Sequence, residues 1–268
     1  MFAIYDGDVL PKPNDAFAWV QATAGPALVC GALEPYAAHL FTTRAWPLGT
    51  VDGNRTAAWG DVAAALGADG AHLVRLHQVH GASFIARKRG DIARKQLDDG
   101  DIVVSDDPSL VLAIQTADCV PLLFADVRTG VVAAAHAGWR GLAAGVPRVA
   151  VGALADTFGS RPSDLIVAIG PSISAPHYEV DDVVRAAFVA TGHADAQLSR
   201  WFLDGTRAAH WQFDGWTSAR DQLEDAGVPP AQIHLSGLCT ASHPDTLPSY
   251  RRDGKAAGRI AAAIRASR

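Results

Sequence analysis

Leu110–Gly141 reads LVLAIQTADCVPLLFADVRTGVVAAAHAGWRG, and the rest of the chain is organised around it. Three apolar runs, VLAI, VPLLFA and VVAAA, are bounded by turn residues, the pattern of short buried strands. Asp126-Val127-Arg128-Thr129-Gly130 reads as the turn between the last two, because Asp supplies a local hydrogen bond and Gly a permissive φ. Cys119, at the end of the polar knot Thr116-Ala117-Asp118-Cys119, closes a strand, and the third run delivers His136, with Arg140 just beyond. Two adjacent strands thus carry a thiol and an imidazole inside one hairpin. Either residue alone reads as core, a buried Cys being a small hydrophobe. Together, beside Asp118 and Arg140, they point to a catalytic site. Asp118 is a candidate acid or orienting group, with a hydrogen bond to its own turn as an equal alternative.

Composition narrows the function classes. The 268 residues are 49% hydrophobic and 19% charged, enough to bury a large core and unlike a disordered chain. The net charge of −5 argues against sequence-independent nucleic-acid binding, which needs a basic footprint. The opening MFAIYDGDVLPKPND lacks a positive segment followed by a continuous apolar one, so no signal peptide is expected. No apolar run is long enough for a membrane span. Three distant cysteines, Cys30, Cys119 and Cys239, do not form a disulfide framework and fit the cytoplasm. No protein partner is inferable.

Working outward, Ala27–Cys30, Ala38–Thr43, Asp101–Ser105, Asp164–Gly170 and Gln232–Leu238 read as strands. Leu73–Ala86 reads as strand, break at Gly81, strand. Thr56–Leu66, a segment from about Pro147 to Phe158, Asp181–Ala190, Thr217–Ala226 and Ala256–Ala266 read as helices, placed by caps, prolines and glycine stops. Arg87–Gly100 is charged and reads as a surface loop. The expected fold is one α/β (α+β) domain of mixed sheets and helices, with its core in about residues 27–266. Thr43 and Arg44, after an early strand, are a candidate sugar or anion contact. His177, Glu179, Cys239 and Arg251 sit at loop or strand ends and rank below the others.

Zinc takes Cys and His donors in a tetrahedron, and a catalytic site leaves one position open. Cys119 and His136 supply two ligands, and His80 or His77 a third. Three apart on a strand, those two histidines would face opposite ways. Copper competes, but a multicopper oxidase needs several His-x-His pairs and often an axial Met. This chain has no His-x-His, and its single Met is the first residue. Metal-free catalysis with Cys119 as nucleophile and His136 as base stays open.

HQVHG (77–81), TADCVPLLFAD (116–126), AAHAGWRG (134–141), GPSIS followed by YEV (170–180) and SYRRDG (249–254) occur in the order seen in the YfiH-like, laccase-domain family, which this sequence resembles from about His39 to Arg259. Members have been labelled polyphenol oxidase, purine nucleoside phosphorylase and peptidoglycan editing factor. The resemblance implies a single α/β domain with zinc held by His80, Cys119 and His136. It implies phosphorolysis of adenosine, inosine and methylthioadenosine to base and sugar 1-phosphate, with deamination of adenosine as well. Purine nucleosides and phosphate are then the partners, and Thr43, Arg44 and Arg140 the expected substrate or phosphate contacts. A peptidoglycan-precursor editing hydrolase using the same Cys–His centre is the alternative. Leu247-Pro248, where the family often has aromatic residues, is a departure near the base pocket.

Overall fold

The computed structural model describes residues 3–4, 10–50, 53–54, 56–91 and 97–267. Residues 92–96 of the charged segment and residues 1–2 and 5–9 of the opening segment lie outside that description.

The three runs of the opening stretch form strands Val111–Thr116, Val120–Asp126 and Val132–Ala137. They do not share one sheet. The last two pair antiparallel around the turn that ends at Gly130, at φ +79°. The first belongs to a different sheet, so the polar knot is a crossover between sheets. The larger sheet runs, in spatial order, Ala3–Ile4, Phe17–Ala22, Gly25–Cys30, Ala37–Thr42, Ile260–Ala266, Val111–Thr116, Leu73–His77, Asp98–Asp99. The second runs Ile233–Leu235, Leu165–Ile169, Val120–Asp126, Val132–Ala137, Ile102–Ser105, Phe84–Arg87. Both mix parallel and antiparallel pairs.

The sheets pack face to face. Leu112, Ile114, Ala262 and Ile264 of the larger meet Leu123, Ala125, Val132 and Ala134 of the second. Period-two alternation sends Val111, Ala113, Ala261 and Ala263 to the opposite face, under the helix Thr56–Ala65 with Trp59 and Val62. The outer face of the second sheet, with Leu122, Phe124, Ala133 and Ala135, is covered by helices Val146–Phe158 and Gly215–Asp225. Four layers result: helix, sheet, sheet, helix. The fold is therefore the mixed α/β type expected. Where the sheets close, Gly170 leaves no room for a side chain, since a Cβ there would overlap the Phe41 ring.

One expected helix is a strand. Ala256–Ala266 contains Ile260–Ala266, which lies inside the larger sheet between Ala37–Thr42 and Val111–Thr116. Alanine is the best helix former, but this run is buried on both sides. Its small side chains suit a strand packed between two layers, and that packing overrides propensity. Gln232–Leu238 is strand only over Ile233–Leu235. The helix Asp195–Trp201 and a small antiparallel sheet of Glu179–Asp181, His210–Phe213 and Phe202–Asp204 went unread in the sequence. The other expected helices and strands appear within a few residues, including Asp182–Ala190, whose cap Asp181 accepts from the Val184 amide.

Candidate metal centre and its cavity

Cys119 does not close a strand. It sits in the bend between Thr116 and Val120, one residue before the hairpin begins. The register Pro121↔His136 and Val120↔Ala137 sets it against the end of its partner strand. His80 lies three residues beyond the end of Leu73–His77, at φ +60°, so strand alternation does not govern it. Its donor atom joins those of Cys119 and His136, all within 4.8 Å of one another. The two imidazoles meet edge to face, with centroids 4.8 Å apart. His77 turns elsewhere, its exposed ring bonded to Asp99 at 2.7 Å. Gly138, in the HAGWRG motif, is small by necessity: a Cβ there would lie 3.0 Å from the Cys119 sulfur and 3.1 Å from the His80 ring.

Sequence reasoning missed the residue that assembles this cluster. Asp101 is fully buried. Its Oδ1 accepts from His136 Nδ1 at 2.7 Å and from the His80 amide at 3.1 Å, while Oδ2 accepts from the Gly81 amide at 2.7 Å. One carboxylate thus orients a histidine side chain and the loop that carries the other histidine. Its only trace in the sequence is an acid leading directly into the apolar run IVVS. Burial alone would raise the Asp101 carboxyl, but the bond and charge of His136 and the two amides hold it down. Gln78 pins the same loop, its amide accepting from the Gln115 N–H at 2.7 Å and donating to the Gln115 carbonyl at 2.8 Å.

Burial raises the Cys119 thiol and lowers the His136 imidazole, yet both end on the other side of their ordinary values. The charge of His136, with hydrogen bonds from both imidazoles, favours a thiolate at Cys119. That thiolate and Asp101 favour the charged imidazole. With His136 Nδ1 committed to Asp101, Nε2 remains as its donor, the usual arrangement in carboxylate–histidine–metal sites. One ionisable thiol and two imidazoles fit a divalent metal of zinc type, with a position left for another ligand. His80, Cys119 and His136 are the residues that would hold it.

The cluster opens into a cavity of about 560 Å³. Arg140 lines it, stacked over Trp139 at 4.2 Å. Arg251 and Arg259 line it too, with Arg251 over the Tyr178 ring at 4.9 Å. Among the described residues, the one carboxylate on its wall is Asp118. Both Asp118 oxygens are engaged, accepting from the Thr240 hydroxyl and the Arg251 amide at 2.6 Å each. Asp118 holds φ at +85°, and these bonds fix that unusual backbone. Thr43 and Arg44 are not among the lining residues. The Thr43 hydroxyl bonds the Pro26 carbonyl at 3.1 Å, and Arg44 pairs with Asp253 at 2.5 Å.

Two facing mixed sheets sheathed in helices, with a Cys–His–His cluster at the crossover between them, define an α/β protein built around a candidate metal centre. The model of the family described as multi-copper polyphenol oxidoreductase laccase matches residues 50–267, and the chain belongs to that family. It is 37% identical over 203 residues to a purine nucleoside phosphorylase of Deinococcus radiodurans, covering 76% of this chain and 74% of that one. It is 38% identical over 191 residues to the purine nucleoside phosphorylase YfiH of Escherichia coli, covering 71% and 72%. Among solved structures, YlmD from Geobacillus stearothermophilus superposes with a TM-score of 0.82 at 30% identity, over 93% of this chain and 99% of that one. The YfiH-like resemblance carried by the motifs is thereby shown.

Proposed function

We propose that this chain is a zinc-dependent purine nucleoside phosphorylase of the cytoplasm. It would cleave adenosine, inosine and methylthioadenosine with phosphate, and deaminate adenosine to inosine. The observation that carries the reading is the cavity: its lining holds the Cys–His–His cluster and, among the described residues, three arginines against one carboxylate, whose two oxygens are both engaged, while Arg251 and Arg259 each also donate to backbone carbonyls. Such a wall favours an anionic co-substrate, and the relatives named purine nucleoside phosphorylase supply the substrate class. Copper oxidase chemistry fits the donors poorly, since among the described residues one group of three His and Cys ligands is present and the sequence lacks any His-x-His pair.

In phosphorolysis a phosphate oxygen bonds to C1′ of the sugar while the bond from C1′ to the purine nitrogen breaks, and its electron pair passes to the base. Guanidiniums hold phosphate by charge and planar hydrogen bonding; Arg140 and Arg251, each stacked on an aromatic ring, and Arg259 can supply both. The Tyr178 and Tyr250 rings offer apolar faces to a purine. The cavity volume lies within the range of small-molecule sites. Zinc, when bound, supplies Lewis acidity at the cavity floor. Asp101 orients the His136 ring and holds the loop that carries His80, and Asp118 ties the Cys119 bend to the segment carrying Arg251.

The test is chromatography of adenosine incubated with zinc-loaded protein, with and without phosphate, beside a Cys119→Ala control. Adenine and ribose 1-phosphate that form only with phosphate, and inosine that forms without it, all lost in the variant, are expected. No release under any condition, or release unchanged in Cys119→Ala, overturns the reading.

A further inference from the structure

Outside the cavity a second thiol meets a second imidazole. Cys239 Sγ lies 3.6 Å from His177 Nδ1. The Ser174 amide donates to the same sulfur at 3.4 Å. The His177 ring is held between two hydroxyls, Ser174 at 3.3 Å on Nδ1 and Ser242 at 3.5 Å on Nε2. A thiol, a base within reach and groups that orient the base are the parts of an activated sulfur nucleophile. The environments of the three cysteines separate them. Cys30 is fully buried, and burial pushes its thiol up to about 11. Cys119 is a candidate metal ligand. Cys239 is 6% exposed, but the imidazole beside it is on the surface. Burial acts to raise its thiol, and hydrogen bonds from Ser174 and Ser242 outweigh that.

The position of Cys239 gives this pair a consequence. The next residue, Thr240, donates its hydroxyl to Asp118, and Asp118 precedes Cys119 in the bend. Cys239 itself bridges Ser172 beside the Thr240–Ser172 backbone bond. A group added at the buried Cys239 therefore presses on the segment Cys239-Thr240 that holds Asp118 beside the candidate-ligand bend.

We propose that Cys239 and His177 form a modification site that accepts low-molecular-weight disulfides, and that the adduct loosens the Asp118 clamp at the metal centre. The Cys239 sulfur, its proton passed to His177, attacks one sulfur of the disulfide. The new S–S bond forms as the old one breaks, and the departing sulfur leaves as a thiolate that takes the proton back from His177. Nothing is oxidised overall beyond the exchange of one disulfide for another.

The zinc-loaded full chain is incubated with oxidised glutathione, and adducts are mapped by mass spectrometry of unreduced peptides. Zinc retention is read separately by a colorimetric chelator. One glutathione at Cys239 is expected, absent in Cys239→Ser and formed at least about tenfold more slowly in His177→Asn. The adducted protein should release zinc faster than the unmodified protein, and Cys239→Ser should not change its zinc release when glutathione disulfide is added. His177 is exposed, so its variant is expected to fold, and circular dichroism confirms this. Absence of an adduct at Cys239, or a rate indifferent to His177→Asn, overturns the modification site. An adduct that leaves zinc release unchanged overturns its link to the centre. None of these readouts uses purine turnover, so they stand apart from the proposed phosphorylase activity.

Discussion

His39 and His136 are buried to the same degree, each 2% exposed, and each lies in a β-strand. His39 is surrounded by backbone: its Nε2 accepts from the Cys30 amide at 2.8 Å, and its Nδ1 donates to the Ala37 carbonyl at 3.0 Å. Burial dominates there, and the ring is pushed down to about 4, so it stays neutral and structural. His136 has a carboxylate on one nitrogen and a thiol beyond the other, and these overcome the same burial and favour its charged form. Burial does not separate a histidine held by backbone groups from one held by charged partners. The charge of its partners does, and in this fold charged partners gather where the chain crosses between the sheets.

Exchanging the two histidines for uncharged residues is the largest test. His136→Ala is expected to abolish zinc binding and lower turnover on the order of 10³-fold or more while the protein stays folded. His39→Gln should retain bound zinc, measured by elemental analysis of the purified protein. If His39→Gln loses zinc to the same extent, the distinction between the two rings fails. A pH titration of stability isolates His39 next. Its folded pKa lies below the unfolded value of about 6.5, so its stabilising effect is complete above that pH and is lost as pH falls toward about 4. The loss amounts to roughly 3 kcal/mol, and urea melts of His39→Gln across that window should show a flatter profile than the parent protein.

Asp101→Asn removes the charge behind His136 with little change in volume. Zinc affinity should fall about 10- to 100-fold, measured by competition with a chelating dye. An unchanged affinity would show that the Asp101 contact is structural only. Ala262→Leu probes the packing instead, since Ala262 stands between the sheets at 0% exposure. Overpacking there should cost about 1–3 kcal/mol in denaturant midpoint analysis without altering zinc content. The smallest effect is expected at Arg44, 40% exposed in its pair with Asp253. Arg44→Ala should change stability by less than about 1 kcal/mol and raise the KM for phosphate less than Arg251→Ala does.

Much of the candidate centre is legible in the sequence because its candidate ligands sit in short, rigid contexts. TADC and HAGWRG mark the two ends that the hairpin register brings together. The choice of His80 over His77 is not legible from periodicity, because the strand ends at His77 and the left-handed backbone of His80 breaks the alternation. Asp101 is invisible for a different reason. Its partners are main-chain amides and a histidine 35 residues away, and no local pattern encodes such a contact. Ile260–Ala266 misleads because its alanines satisfy helix propensity, whereas its neighbours in space, Ala37–Thr42 and Val111–Thr116, require an extended chain. The small sheet around His210–Phe213 has only short strands and only Phe213 fully buried in that segment, too little apolar patterning to read.

That central position of Ile260–Ala266 also bears on how the molecule comes into being. Its two sheet neighbours emerge from the ribosome early, and 143 residues separate Thr116 from Ile260. At translation speeds of about 5–20 residues per second, they wait on the order of ten seconds for the strand that joins them. Without it, the edges of Ala37–Thr42 and Val111–Thr116 that pair with it would have no partner, and unpaired edges can recruit other chains. Among the described strands of the larger sheet, the one made last is the one that joins its two halves.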